Sequence, residues 1–228
     1  MLALHYKKVY NRQKRANVMT GRNVDLIFVR HGESYGNIGK QDEESHPDDP
    51  RLTENGLIQA QKLADRYCGE PITAIYSSAL IRACQTVQPI AQLTGKQITV
   101  FRELMEVGTA IPNTDPALAK QYAPNAYASV CVASLSPVLF PTASDDPAVC
   151  EQRAAYCMDQ ILAGCKDGDT VMICTHGGFI GYLLRYCLGL SLPEHFYWQI
   201  DNCSVFKIFL STDRIPKLRY ANDISHLV

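Results

Sequence analysis

Apolar residues in this chain gather into short, nearly continuous runs rather than strict alternation. Val24 to Val29 (VDLIFV) is the first and predicts a buried strand. Thr53 is placed to N-cap a helix in which Leu57, Ala60, Leu63, Ala64 and Tyr67 share one face, with Gly69 near its stop. Ile72 to Tyr76 predicts a second strand. Ser77 and Ser78 lead into a second helix ending near Gly95, and Pro89 inside it is expected to bend or cut it. A short strand follows at Ile98 to Val100, and a helix at Ala148 to Cys165. After a Gly168-Asp169 turn, Thr170 to Cys174 (TVMIC) reads as another buried strand and Phe179 to Leu188 as a helix. Strand-like runs lie at Tyr197 to Ile200 and Val205 to Leu210, and Pro216 to Val228 reads as an edge strand with a tail.

Strands alternating with helices predict an α/β fold, a three-layer α/β/α sandwich around a mostly parallel sheet. Residues 108 to 147 interrupt the pattern. Pro112, Pro116, Pro124, Pro137, Pro141 and Pro147 fall in or at the edge of this stretch, which predicts an irregular insertion acting as a lid or specificity segment. The expected organisation is a basic extension over residues 1–23 and one domain over 24–228.

The 228 residues carry 22 Lys+Arg and 23 Asp+Glu, for a formal charge of −1. Six of the 22 basic residues (Lys7, Lys8, Arg12, Lys14, Arg15, Arg22) stand in the acid-free first 24 positions, leaving 16 against 23 acids in the body. The near-neutral total argues against a dedicated nucleic-acid binder, whose footprint would be a strong positive excess. No run approaches the roughly 18 apolar residues of a membrane helix, so no membrane partner is expected. The leader lacks a signal-peptide core. Its charge resembles a mitochondrial presequence, but it is poor in Ser and weakly amphipathic, so targeting and a plain basic extension both stand. Nine cysteines without a C-x-x-C predict reduced core thiols in a cytoplasmic protein.

Two of the buried strands run into histidine and glycine, at Arg30-His31-Gly32 and Thr175-His176-Gly177. In doubly wound sheets ligands bind beyond the carboxyl ends of strands, so the two histidines are expected to meet in one pocket. Arg30 adds a positive charge, and Arg82 lies near a helix start that favours an anion. Two guanidinium groups and two imidazoles, without a phosphate-cradling Walker loop or metal-ligand spacing, suit a phosphoryl group.

These residues resemble those of the histidine phosphatase superfamily. Arg30-His31-Gly32-Glu33-Ser34 with Asn37 is similar to its RHGE motif. Leu52-Thr53-Glu54-Asn55-Gly56 with Gln59-Ala60 is similar to its LTxxGxxQA helix start. Tyr76 to Thr86 resembles its SSPLxRAxQT segment, Thr175 to Gly178 its second histidine motif, and Asn202-Cys203-Ser204-Val205 its late N-x-S-[VI] segment. The resemblance implies that His31 is the nucleophile, that Arg30, Arg82 and His176 bind the phosphoryl oxygens, and that Asn37 and the Gly177 N–H hydrogen-bond it, with Ser34 lining the pocket. It implies no cofactor and no metal. The general acid is Glu106, in an L-x-E context, with Glu103 the rival, because Gly108 is not at the family's usual spacing from either.

Hydrolysis of phosphomonoesters is the leading reading. Mutase-type transfer is the second, although Phe101 to Gly108 lacks the mutases' LNERxYG segment. A non-catalytic phospho-ligand binder would be expected to lose one of the four site residues, and all four are present. The expected partner is a small phosphorylated substrate or phosphopeptide of modest charge; a homodimer is left open.

Overall fold

The computed structural model describes residues 21–45, 47–109, 121–127, 146–190, 198–213 and 215–228. Strand β1 (Val24–Arg30) lies next to β5 (Asp169–Thr175) in a seven-stranded sheet of order β4-β3-β2-β5-β1-β6-β7. The others are β2 (Ile72–Ser78), β3 (Ile98–Phe101), β4 (Ala126–Tyr127), β6 (Val205–Leu210) and β7 (Lys217–Asp223). Pairing is parallel from β4 through to β1, while β6 and β7 add antiparallel strands at the other edge.

Period-2 geometry splits the apolar run of β1 between two cores. Ile27 and Val29 pack into the layer holding α1 (Glu54–Tyr67) and α2 (Ile81–Thr94). Leu26 and Phe28 pack into the layer holding α3 (Pro147–Gly164) and α4 (Gly177–Leu188). A strand covered on both faces has no polar side to present, which is why its sequence does not alternate. The three-layer sandwich follows from this division.

Several local expectations are altered. Pro89 does not cut α2, which runs unbroken with Val87, Ile90 and Ala91 buried on either side of it, so packing overrides the missing donor. Leu57 is 48% exposed rather than in the core, because α1 meets the protein through Gly56 at that level. No strand forms at Trp198 to Ile200; the Ile200 carbonyl receives the Arg30 guanidinium instead of a ladder bond. Tyr197 lies outside the described residues.

Most of the 108–147 insertion, and with it the lid, also lies outside the described residues. Its described part adds β4, unforeseen in the sequence, parallel to β3. Of the basic extension, Arg22 is described. Its guanidinium donates to the Cys165 and Leu162 carbonyls at the end of α3, where a cation meets the negative end of the helix dipole.

Thr53 caps α1 as expected, its Oγ1 accepting the Gly56 N–H at 3.0 Å. Gly56 also lets α1 press on the loop after β1, since a Cβ there would stand 2.0 Å from the Glu33 carbonyl oxygen. Gly56→Ala is therefore expected to destabilise the fold by roughly 3 kcal/mol or more. Gly69→Ala, whose Cβ meets nothing within 4 Å, should change stability by less than ~0.5 kcal/mol. Urea midpoints of the two variants check this, and equal midpoints would contradict the close crossing.

Candidate active site

The β1–β5 register pairs Arg30 with Thr175, so the next residue of each strand, His31 and His176, emerges side by side. The His31 N–H donates to the Thr175 carbonyl at 3.0 Å, and the two rings lie 5.0 Å apart, tilted by 56°. Both side chains are buried.

The Nδ1 of His31 is 2.7 Å from the Gly32 carbonyl oxygen. A carbonyl can only accept, so Nδ1 carries the proton and Nε2 keeps a lone pair. Burial, reinforced by Arg82 and Arg30, holds the His31 pKa well below its ordinary 6.5; only the Gly32 bond acts the other way. Burial, then Arg82, His31, Arg30 and Arg153, does the same to His176. A lowered pKa means that each ring charges only at a pH below the ordinary value. The expected result in an NMR pH titration is that neither ring's resonances move on descending to about pH 6.5, where an exposed histidine is half protonated. A His31 midpoint at or above that pH would contradict the burial and the arginine field.

Arg30 donates through Nη1 to the Ile200 carbonyl at 2.5 Å, and its side chain lies against Gly177, where a Cβ would stand 3.5 Å from Nε. Arg82 sits in the first turn of α2, with Nη1 3.6 Å from Asp49 Oδ1. Both oxygens of Asp49 accept the Ile81 N–H, at 2.9 and 3.2 Å. The protein thus supplies one anion of its own at this helix start, a neighbour that sequence reasoning missed. Arg30 Nε, Arg82 Nη1 and His176 Nδ1 are buried and have no hydrogen-bond partner among the described residues. His176 Nε2 is 2.8 Å from Ser78 Oγ, a second unassigned neighbour.

Glu106 and Glu103 part company. The carboxylate of Glu106 accepts N–H groups from Val107 (2.9 Å), Phe179 (3.1 Å) and Gly178 (3.3 Å), at the start of α4. It acts on both Arg30 and Arg82, raising their pKa against the lowering by burial. Gly178 makes room for it, because a Cβ there would stand 2.7 Å from Oε1. Glu103 instead lies in a 3-10 turn (Arg102–Leu104), fully buried, and neither carboxylate oxygen has a hydrogen-bond partner among the described residues. Burial pushes its pKa up to about 7, against the pull of Arg102 and Arg153.

The loop after His31 is held by the motif residues of α1 and α2. Gly32 N donates to Thr86 Oγ1 (3.0 Å), Glu33 N to Gln59 Oε1 (2.7 Å) and Leu52 N to Gln85 Oε1 (2.9 Å). Gly32 permits this, since a Cβ would stand 2.8 Å from the Gly56 carbonyl oxygen. Glu33 takes the Thr53 hydroxyl (2.6 Å) and the Asn55 amide (3.2 Å), so it serves the scaffold. Ser34 donates to Asn37 through both N (3.1 Å) and Oγ (3.0 Å). Arg30, His31, Arg82, His176, Glu106 and Gly177 therefore form one cluster, and Ser34 and Asn37 form a loop beside it. Among the described residues no three His, Cys, Asp or Glu side chains are grouped to hold a metal, and no helix is long and apolar enough to cross a membrane.

Residues 26–223 match the family model described as the histidine phosphatase superfamily, branch 1. A probable phosphoglycerate mutase GpmB of Proteus mirabilis is 25% identical over 210 residues, covering 90% of this chain and 95% of that protein. The fold is similar to that of a phosphoserine phosphatase of Entamoeba histolytica in complex with 3-phosphoglyceric acid. That match has a TM-score of 0.63 at 24% identity and covers 90% of this chain and 100% of the other. A phosphoglycerate mutase of Bacillus anthracis gives a TM-score of 0.65 at 16% identity, covering 92% of this chain and 97% of the other.

Proposed function

Because the chain belongs to branch 1 of the histidine phosphatase superfamily, we propose that it hydrolyses phosphomonoesters through a phosphohistidine on His31. One observation carries the reading: a neutral histidine whose Nδ1 is tied to the Gly32 carbonyl, 5.0 Å from a second histidine and flanked by two arginines.

The lone pair on His31 Nε2 attacks phosphorus in line, and the bond to the leaving oxygen breaks. Glu106, entering the step as the carboxylic acid with a proton taken from the monoester monoanion, gives that proton to the leaving oxygen. The phosphorylated ring is a cation, and the Nδ1–H bond to Gly32 favours that charged form. Glu106 then takes a proton from water, the water oxygen attacks phosphorus, and the P–N electrons return to Nε2. The sum is ester plus water giving alcohol plus phosphate.

Arg30, Arg82 and His176 bind the phosphoryl oxygens. Arg30 Nε, Arg82 Nη1 and His176 Nδ1, buried and without a hydrogen-bond partner among the described residues, fit an anion that takes up each of them. Asn37 and the Gly177 N–H complete the cradle. The substrate is a small phosphorylated molecule with a leaving group of modest charge. In the loop between β1 and α1, Arg51 is neutralised by Asp42 (2.8 Å) and Glu44 (2.6 Å), so it offers little attraction to a second phosphate.

A mutase is the second reading, favoured by the likeness to GpmB along nearly the whole chain. Both readings share the first step and differ in what accepts the phosphoryl group. With 3-phosphoglycerate and p-nitrophenyl phosphate as substrates, phosphate release that persists in EDTA is the expected result. Isomerisation of 3-phosphoglycerate faster than phosphate release selects the mutase, and an absolute magnesium requirement contradicts the mechanism above.

A further inference from the structure

We infer that Asn202 is a positioning residue, whose side-chain amide sets both the loop carbonyl that orients the His31 ring and the direction in which Asn37 faces. The inference rests on the phosphohistidine reading above.

The Asn202 Nδ2 lies 3.1 Å from the His31 carbonyl oxygen, 3.2 Å from the Gly32 carbonyl oxygen and 2.9 Å from Asn37 Oδ1. Two backbone carbonyls can only accept, so the atom facing them must be the amide nitrogen. Its two hydrogens serve three acceptors, one shared between the adjacent carbonyls. The Gly32 oxygen is the atom that also receives the Nδ1–H of His31. Asn202 thus holds the acceptor that decides which nitrogen of the nucleophile is free.

The second consequence concerns Asn37. Its Oδ1 accepts from Ser34 N, Ser34 Oγ and Asn202 Nδ2. A backbone N–H can only donate, so the Asn37 oxygen is fixed toward the loop and its NH2 is turned the other way, free to donate to an anion. Without Asn202 that orientation loses the one donor that, among the described residues, comes from outside the loop.

Asn202 is itself braced. Cys203 adopts a left-handed φ of 57°, uncommon for a residue with a side chain, and donates its N–H to the His31 carbonyl at 3.1 Å. Asn222 of β7 accepts from Asp201 N (2.8 Å) and donates to Asp201 Oδ2 (2.7 Å). Arg30 is bonded to the Ile200 carbonyl of the same segment. The turn before β6 is therefore a rigid bracket with the Asn202 amide at its tip, and strain held at such a turn fits a positioning role.

The test is a double-mutant cycle between Asn202→Ala and Asn37→Ala. It reads p-nitrophenyl phosphate turnover and, by calorimetry, the affinity for inorganic phosphate. Asn202→Ala is expected to lower kcat/KM by about 10²-fold, the scale set by small misplacements. It should weaken phosphate binding in the parent but by less than about twofold once Asn37 is already alanine, because its target is gone. An equal factor in both backgrounds means that Asn202 only supports the fold and overturns the inference.

Asn37→Asp gives a reading that needs no change at Asn202. The pinned oxygen keeps its place, the second carboxylate oxygen replaces the NH2, and phosphate should bind about tenfold more weakly than to Asn37→Ala. Equal affinities overturn the inference. Wild-type protein that couples Asn202 to Asn37 in phosphate binding but releases no phosphate would remove the phosphatase reading and leave the positioning role standing. Phosphate release without coupling does the reverse.

Discussion

His31→Ala is expected to lower the turnover of p-nitrophenyl phosphate by roughly 10⁴-fold or more, the scale seen when a covalent nucleophile is removed. The reason is chemical. His31 presents a neutral Nε2 because its Nδ1 proton is committed to Gly32 and because burial with two arginines keeps the ring uncharged. Alanine removes the only atom that forms the covalent bond and leaves the anion cradle. Affinity for inorganic phosphate should therefore change by less than about tenfold, since Arg30, Arg82 and His176 all remain. Brief exposure to substrate should give wild type an acid-labile, alkali-stable phosphoryl label that the variant lacks. A variant that keeps a tenth of the activity, or still takes the label, would move the nucleophile to another group, with His176 the nearest imidazole among the described residues.

Part of this site was legible in the sequence, for a physical reason. A strand buried on both faces announces itself as an apolar run, and the residue where the run breaks marks its carboxyl end. His31 and His176 could thus be placed at two strand ends, and adjacency of β1 and β5 then brings them together. The caps were readable on the same grounds, as with Thr53.

The supporting contacts were not. Asp49 meets Ile81 and Arg82 across a gap of more than thirty residues, and Ser78 meets His176 across 98. A bond between distant positions leaves no period along the chain. Leu57 failed for a related reason. Its spacing matches the buried face of α1, but where that face lies is decided by the backbone contact at Gly56, which has no apolar signature. Pro89 does not cut its helix, because local propensity is outweighed when both flanking turns are buried.

The choice between Glu106 and Glu103, which motif spacing left open, can be decided by two isosteric substitutions. Glu106→Gln is expected to slow turnover by roughly 10²-fold or more, because glutamine can neither protonate the leaving oxygen nor activate water. The amide should still fit the space left by Gly178, so phosphate affinity should fall little. Glu103→Gln should leave kcat within about threefold, because its carboxyl group is fully buried in the 3-10 turn, away from solvent. Its signature should be in stability. The folded pKa of Glu103 is raised from 4.5 to about 7, so its contribution is fully present below the unfolded value and lost as pH rises through the folded one. Glutamine does not titrate. Melting temperatures of Glu103→Gln and wild type should therefore diverge in the variant's favour between about pH 5 and pH 8. The reverse pattern, a rate loss at Glu103 and none at Glu106, would reassign the general acid to the buried turn, and with it the route by which water reaches the phosphohistidine.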